Sequence, residues 1–272
     1  MAATGTIASL HRFPVKSMLG ETPARVELDA DGIVGDRTWA LRDAETGKLA
    51  SAKRPGWWRA LLDCTATGTG DDVAVTLPDG KRYAIDDPSL TGALGALLGR
   101  DVRLERAEHA QQGVYESEWP EIDGLTLVGD IDFPTNLLGE GTSFVDVGVL
   151  HLLTTASMRT LAELDPELVV DVARFRPSIL IDVPDATGFV ENDWVGRTLE
   201  VGDVTIEIGD PTPRCVMTTV AQGDLPRQGG VLRTLAEHNR QTNDFGTFAC
   251  LGVYGRVIGG GSVTTGSPVT VS

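Results

Sequence analysis

The sequence is poor in the residues that build most disulfide frameworks and metal centres. Its 272 residues hold three cysteines, Cys64, Cys215 and Cys250, and four histidines, His11, His109, His151 and His238. The cysteines are odd in number and widely spaced, and no CxxC occurs. This argues against a disulfide framework and fits a reducing cytoplasm. The histidines are scattered, with no HExxH and no Cys/His cluster, which argues against a zinc site. Cations are scarce as well. Lys and Arg total 23 against 39 Asp and Glu, a net charge of −16. Such a chain repels nucleic acid and anionic membranes unless its cations are gathered in one place. Its acidity serves solubility first, and would also suit a basic protein partner. No run approaches the ~18 apolar residues of a membrane span. Met1 to Ile7 leads straight into a strand-like pattern, without a basic segment followed by an apolar one, so no secretory signal is expected.

What is there is a chain with enough apolar residues, 41%, to bury a sizeable core, and of a length that suggests about two domains. The first hundred residues read as short strands and turns: Thr6 to Phe13, Ala24 to Leu28, then Arg37 to Arg42 and Lys48 to Ala52 around Asp43-Ala44-Glu45-Thr46-Gly47. Val73 to Leu77 and Arg82 to Ile85 flank Pro78-Asp79-Gly80, a hairpin with proper turn chemistry. Pro88 to Leu98 reads as a short helix stopped by Gly99. From Arg106 to Gly148 periodicity is weak, and a connecting segment with a lid-like loop is expected. The second half supplies strands at Val149 to Leu153, Ile179 to Val183, Thr198 to Ile208, Phe248 to Ile258 and Val269 to Val271. Helices are expected from Thr155 to Leu164 and from Val231 to Asn239, and Gly259-Gly260-Gly261 reads as a flexible link. The fold class is mainly β with a few short helices (α+β), as two partly closed β-barrels or sandwiches.

In so acidic a chain, cations beside turns and strand ends stand out. Lys16 and Ser17, Arg37, Thr154 and Thr155, Arg174, Arg176 and Ser178, and Arg214 with Cys215 lie in five short segments. Arg and Lys bind phosphate, hydroxyls and free N–H groups complete an anion nest, and a thiolate is a soft metal ligand. Each piece alone is weak. A Lys-Ser pair is usually a solvated turn, an Arg in a strand usually an ion pair, and a lone Cys usually an inert small hydrophobe. Cys215 differs in its setting, directly after Arg214, whose charge favours a thiolate, and between a Pro-rich bend and Thr218-Thr219. Cys64 and Cys250 read as core.

The order of these segments resembles the MOSC family, named for the C-terminal domain of molybdenum-cofactor sulfurases, over almost the whole chain. Phe13-Pro14-Val15-Lys16-Ser17 is similar to its opening motif, and Gly35-Asp36-Arg37-Thr38-Trp39 to its x-D-R-x-W motif. Ser51-Ala52-Lys53-Arg54-Pro55 is similar to its T-A-R-x-x-P stretch, and Leu152 to Ser157 to L-L-S-E-A-S. Arg174-Phe175-Arg176-Pro177-Ser178 resembles x-F-R-P-N, and Arg214-Cys215-Val216-Met217-Thr218-Thr219-Val220 resembles R-C-x-x-T-T-V/I. The sequence departs from the family at Ser178, where Asn is usual, at Thr155, where Glu is usual, and at Gly266-Ser267, where Gly-Asp is usual. Among two-domain members, the likeness is to the mitochondrial amidoxime-reducing components and their bacterial relatives.

The resemblance implies an N-terminal β-barrel domain over 1–105, a connecting segment and candidate pocket loop over 106–148, and a MOSC β-barrel domain over 149–272. It implies a molybdenum cofactor (Mo-molybdopterin) at the seam, with Cys215 as metal ligand and catalytic residue. Lys16, Ser17 and Arg37 would grip its phosphate. Thr154, Thr155, Arg174, Arg176, Ser178 and Arg214 would contact the remainder. The implied chemistry is two-electron reduction of N-hydroxylated substrates such as amidoximes and hydroxylamines. No Cys cluster follows Cys215, so electrons would come from a separate flavin, haem or iron–sulfur donor protein. Two other readings stay open: a cofactor or sulfur carrier using a Cys215 persulfide, and a non-enzymatic binding module in which Cys215 is only core.

Overall fold

Strict alternation of apolar and polar residues sets up the larger barrel. In Thr198–Val201 and Val204–Pro213, Leu199, Val201, Val204, Ile206 and Ile208 are buried while Glu200 and Glu207 face out, the period-2 signature of a half-buried strand. The computed structural model describes residues 4–107, 113–137 and 142–272. Sequence reading expects one strand over this stretch. The structure breaks it at Gly202-Asp203, where Gly202 takes φ 60°, a left-handed turn residue that lets the chain double back.

The strands Leu150–Thr154, Ile179–Asp182, Gly5–Leu10, Pro268–Val271, Thr198–Val201, Val204–Pro213 and Gly246–Gly259 follow one another in an eight-stranded sheet, with Arg240–Asn243 at its end. Leu150–Thr154 also pairs with Gly246–Gly259, so the sheet closes on itself. Closure removes the sheet edges that would otherwise be exposed. Leu150–Thr154 and Ile179–Asp182 run parallel. The helix Thr155–Leu164 lies in the crossover between them, its first turn capped by the Thr154 side chain, which accepts from Ser157 N. Ile7, Leu10, Leu150, Leu152, Ile179, Ile181, Leu199, Ile206 and Val253 fill the interior.

The N-terminal barrel domain has its own core, including Val15, Met18, Leu41, Leu61, Leu90, Leu94 and Val102. Around it run Trp39–Asp43 paired with Val102–Arg106, and the meander Thr65–Thr67, Ala74–Thr76, Arg82–Ala84. The Pro78-Asp79-Gly80 turn lies where the sequence expects it, and Gly99 ends the helix Leu90–Leu98 at φ 64°. Lys48 to Ala52 is not a strand but makes single bridges from Leu49 to Arg42 and Tyr115.

Two expectations about connections are corrected. The stretch after Arg106 contains a regular hairpin, Val114–Trp119 against Gly129–Pro134. Its long turn and mixed polarity hide the alternation. The glycine link is also structured. Gly261–Thr264 pairs with Arg25–Asp29, and Gly260 comes so close that a Cβ there would sit 2.7 Å from Leu28 O. The two halves thus interlace. Gly5–Leu10 belongs to the second barrel, and the late strand Gly261–Thr264 joins a sheet of the first half. No described helix is long and apolar enough to cross a membrane.

Candidate functional site

Chain geometry aims a set of cations at one place. Ser17, Arg37 and Arg176 have φ of 68°, 50° and 52°, a conformation that costs non-glycine residues of order 1 kcal/mol or more and clusters at functional sites. Arg37 follows Gly35, itself at φ 87°, and its N–H donates to Phe13 O at 2.7 Å. Arg176 ends the short helix Val172–Phe175. Cys215 lies between the end of Val204–Pro213 and the turn Val216–Thr218, with its carbonyl accepting from Thr218 Oγ1 at 3.0 Å.

These segments line one cleft of about 780 Å³, measured out to open solvent, between the two cores. It brings together Lys16, Ser17, Arg37, Arg176, Ser178, Arg214 and Cys215 from both halves of the chain. Thr154, Thr155 and Arg174 are not among its lining residues. Thr154 Oγ1 donates to buried Glu191 at 2.7 Å, and Thr155 Oγ1 to Asp182 at 2.7 Å. Arg174 is 0% exposed and donates to the carbonyls of Val169, Thr218, Val220 and Pro226 at 3.0, 3.4, 3.5 and 2.7 Å. It fastens the loop that follows Cys215 and does not face the cleft. Ser17 and Ser178 line the cleft, but their hydroxyls already accept from Ala52 N and His151 N.

The cleft also holds residues that sequence reading left out: Lys53, Asp146, His151, Thr212 and Tyr254. Lys53 stood inside a quoted motif, and Asp146 in the stretch without periodicity. His151, Thr212 and Tyr254 look like ordinary strand residues and carry no signal. Val145 to Gly148, from the expected pocket loop, form part of the wall. The parts of that loop at 108–112 and 138–141 lie outside the described residues.

Asp146 is the hub of a local charge network. Lys16 Nζ bonds to its Oδ1, and Lys53 Nζ lies 3.0 Å from its Oδ2. Burial alone would raise the Asp146 carboxyl, but the two ammonium groups hold it well below the usual carboxylate range. Burial pushes Lys16 down to about 8 against the pull of Asp146. Burial also disfavours the Lys53 charge, but Asp146, Tyr115, Cys215 and Tyr254 outweigh it and hold Lys53 above its ordinary value. His151 is neutral, its pKa driven far down by burial and then by Arg214.

On the other side, Arg176 and Arg37 both carry their guanidinium carbons over the Phe13 ring, at 3.9 and 5.0 Å from its centroid. Burial first and the Arg37 charge second push Arg176 down to about 9. Arg176 Nη1 donates to Met18 O at 2.7 Å, and Arg214 Nη2 to Phe175 O at 2.7 Å. Arg176 Nη2, Arg214 Nε and Thr212 Oγ1 are buried and have no hydrogen-bond partner among the described residues. Buried donors left unmade cost about 1–3 kcal/mol each. Within an otherwise acidic chain, this is a cationic cleft with donors free for an anion.

Two family models match the chain: the MOSC N-terminal beta barrel domain over 4–92 and the MOSC domain over 141–270. The protein belongs to the MOSC family. Its MOSC domain carries Cys215, Arg176 and Arg214, and the N-terminal barrel match carries Lys16, Arg37 and Lys53. This MOSC protein is 24% identical over 268 residues to a molybdenum cofactor sulfurase of Oryza sativa subsp. japonica. That match covers 86% of this chain but 31% of the relative, so the chain spans under a third of that protein's length. Among solved structures, the YUAD protein of Bacillus subtilis aligns at 11% identity and TM-score 0.47, over 98% of this chain and 94% of that one. YiiM of Geobacillus stearothermophilus aligns at 16% identity and TM-score 0.31, over 46% and 54%.

Proposed function

We propose that the cleft binds a molybdenum cofactor with the Cys215 thiolate as the protein's ligand to the metal, and that the protein reduces N-hydroxylated compounds. The observation that carries this reading is the meeting of Cys215 with Lys16, Arg37, Lys53, Arg176 and Arg214 in one cleft. The donor set fits the group. Arg176 Nη2 and Arg214 Nε are buried donors that a phosphate or a pterin oxygen would satisfy. Among the described residues no cluster of His, Cys, Asp and Glu could cage a metal, so a metal at Cys215 would take its other donors from the cofactor.

The bound group would supply a two-electron redox centre able to take oxygen from an N–O bond. The chain's own residues do the rest. Arg176 and Arg37, both over the Phe13 ring and the latter paired with Asp36, would hold the phosphate, with Lys16 beside Asp146 as a further donor. Arg174 keeps the Cys215 loop in place. Neutral His151, its Nε2 donating to Leu251 O at 3.0 Å, lies beside Arg214 in the cleft wall. The substrate leaves as amidine or amine after gaining two electrons and two protons and losing water. The electrons come from a separate flavin, haem or iron–sulfur protein. A reducing cytoplasm, where the Cys215 thiol persists, suits the scheme.

A second reading makes the protein a cofactor or sulfur carrier with a persulfide on Cys215. The sulfurase relative favours it. Expression in a molybdopterin-producing host, metal analysis, and benzamidoxime reduction with a chemical electron donor separate the two. Bound molybdenum with turnover supports the reductase. A Cys215 persulfide without turnover supports the carrier. Neither metal nor persulfide removes both. Cys215→Ala should abolish metal retention, and Cys64→Ala should leave it.

A further inference from the structure

A second compartment opens beside the cationic cleft. It has a volume of about 950 Å³, again measured out to solvent, and shares Lys53, Val147, Pro213 and Tyr254 with the cleft. Its character is opposite. Tyr115, Trp119, Phe133, Phe245 and Phe248 supply much of its wall. Phe133 lies 6.0 Å from Tyr115, stacked at 28°, and 6.3 Å from Trp119, edge-on at 60°. Only 6% of the whole chain is aromatic, so gathering these rings here concentrates a scarce resource. Phe245 is 65% exposed, an apolar ring left at the mouth. An apolar pocket with few polar groups is the usual form of a small-molecule site. Charge enters the described lining only through Lys53 and Asp210. Lys53 stands at the junction, its Nζ 5.0 Å from the Tyr115 centroid.

We propose that this aromatic bay receives the flat, uncharged ring body of the substrate while its N–O head rests in the adjoining cleft at Cys215. The assignment rests on the reductase reading for the head and on the bay's geometry for the body. The substrate class is therefore an aryl or comparable planar apolar compound carrying a small polar nitrogen group. A sugar or nucleotide body would leave its hydroxyls or phosphates unpaired against these rings. A bare alkyl compound would leave the bay to water. The hairpin Val114–Trp119 and Gly129–Pro134 supplies Tyr115, Trp119 and Phe133, so it sets specificity, and Phe245 guards the entrance.

Binding to the cofactor-loaded protein, read by calorimetry, tests the bay separately from the chemistry. Four probes are compared: benzamidoxime, acetamidoxime, and the corresponding benzamide and acetamide, which lack the N–O head. The phenyl members should bind about tenfold tighter than the methyl members in both pairs, from burial of the ring. Phe245→Ala should weaken the phenyl probes about threefold and leave the methyl probes unchanged, with an unaltered melting temperature. Phe133→Leu, which keeps the side chain apolar but removes the ring, should do the same. Equal affinity for phenyl and methyl members overturns the proposal, as does an equal loss for both in the variants. If benzamide binds as expected but neither amidoxime is reduced, the bay stands and the reductase reading falls. If both amidoximes are reduced with the same KM, the reductase stands and the bay falls.

Discussion

The protein has three thiols, and their surroundings separate them. Cys64 and Cys250 are 0% and 1% exposed, and burial pushes both up to about 12. Cys215 borders the cleft and is 7% exposed. Iodoacetamide on the native, unloaded protein should modify one thiol per chain, read by intact mass. Cys215→Ser should remove that modification. Labelling at Cys64 or Cys250 instead would contradict the site. Lys16 gives a second test. Its pKa of about 8 means it carries charge at pH 7 and has largely lost it at pH 9. Sulfate, whose own charge is constant over that range, should bind the cleft several-fold more weakly at the higher pH. In Lys16→Met that dependence should flatten.

At the scale of elements, strong local chemistry was readable and long-range geometry was not. The helix Thr155–Leu164 has the bounds that Thr154 and the apolar spacing indicate, and the turn at Asp79-Gly80 needs no tertiary partner. Lys16, Arg37, Arg176 and Arg214 could be picked out because cations beside turns are conspicuous in an acidic chain. Arg174 looked the same in one dimension and differs in three. Arg174 lies within the helix Val172–Phe175 and Arg176 is its left-handed cap, and of the two only Arg176 lines the cleft. The aromatic hairpin was hidden by its long turn and mixed polarity, and Asp146 because its partners lie far off in sequence. Phe144 O, for example, accepts from Lys16 Nζ at 2.8 Å across 128 residues. Arg174→Met should destabilise the protein by about 3 kcal/mol, because several buried carbonyls lose their donor. Urea unfolding would measure that loss. The same variant should speed Cys215 alkylation, because the loop after it is no longer tied down.

At the scale of the molecule, the interlaced strands make the two barrels one folding unit. Gly5–Leu10 is hydrogen-bonded on one side to Ile179–Asp182 and on the other to Pro268–Val271. Urea unfolding should therefore show a single transition by tryptophan fluorescence and by circular dichroism. A fragment of residues 1–105 should not fold alone, and two separated transitions would contradict this. Acid should weaken the whole. Burial lowers His11 from 6.5 to about 4, and burial with Arg214 lowers His151 well below 6.5. The unfolded chain takes up these protons first, so stability present above about pH 6.5 declines as the pH falls toward 4. His11→Gln should reduce the slope of melting temperature against pH in that window.

The same threading sets a timetable for synthesis. Thr4 N donates to Val269 O at 2.7 Å, so the earliest strand waits on one of the last before its barrel is complete. A variant lacking residues 268–271 should therefore leave one side of Gly5–Leu10 without its partner strand, and its melting temperature should fall.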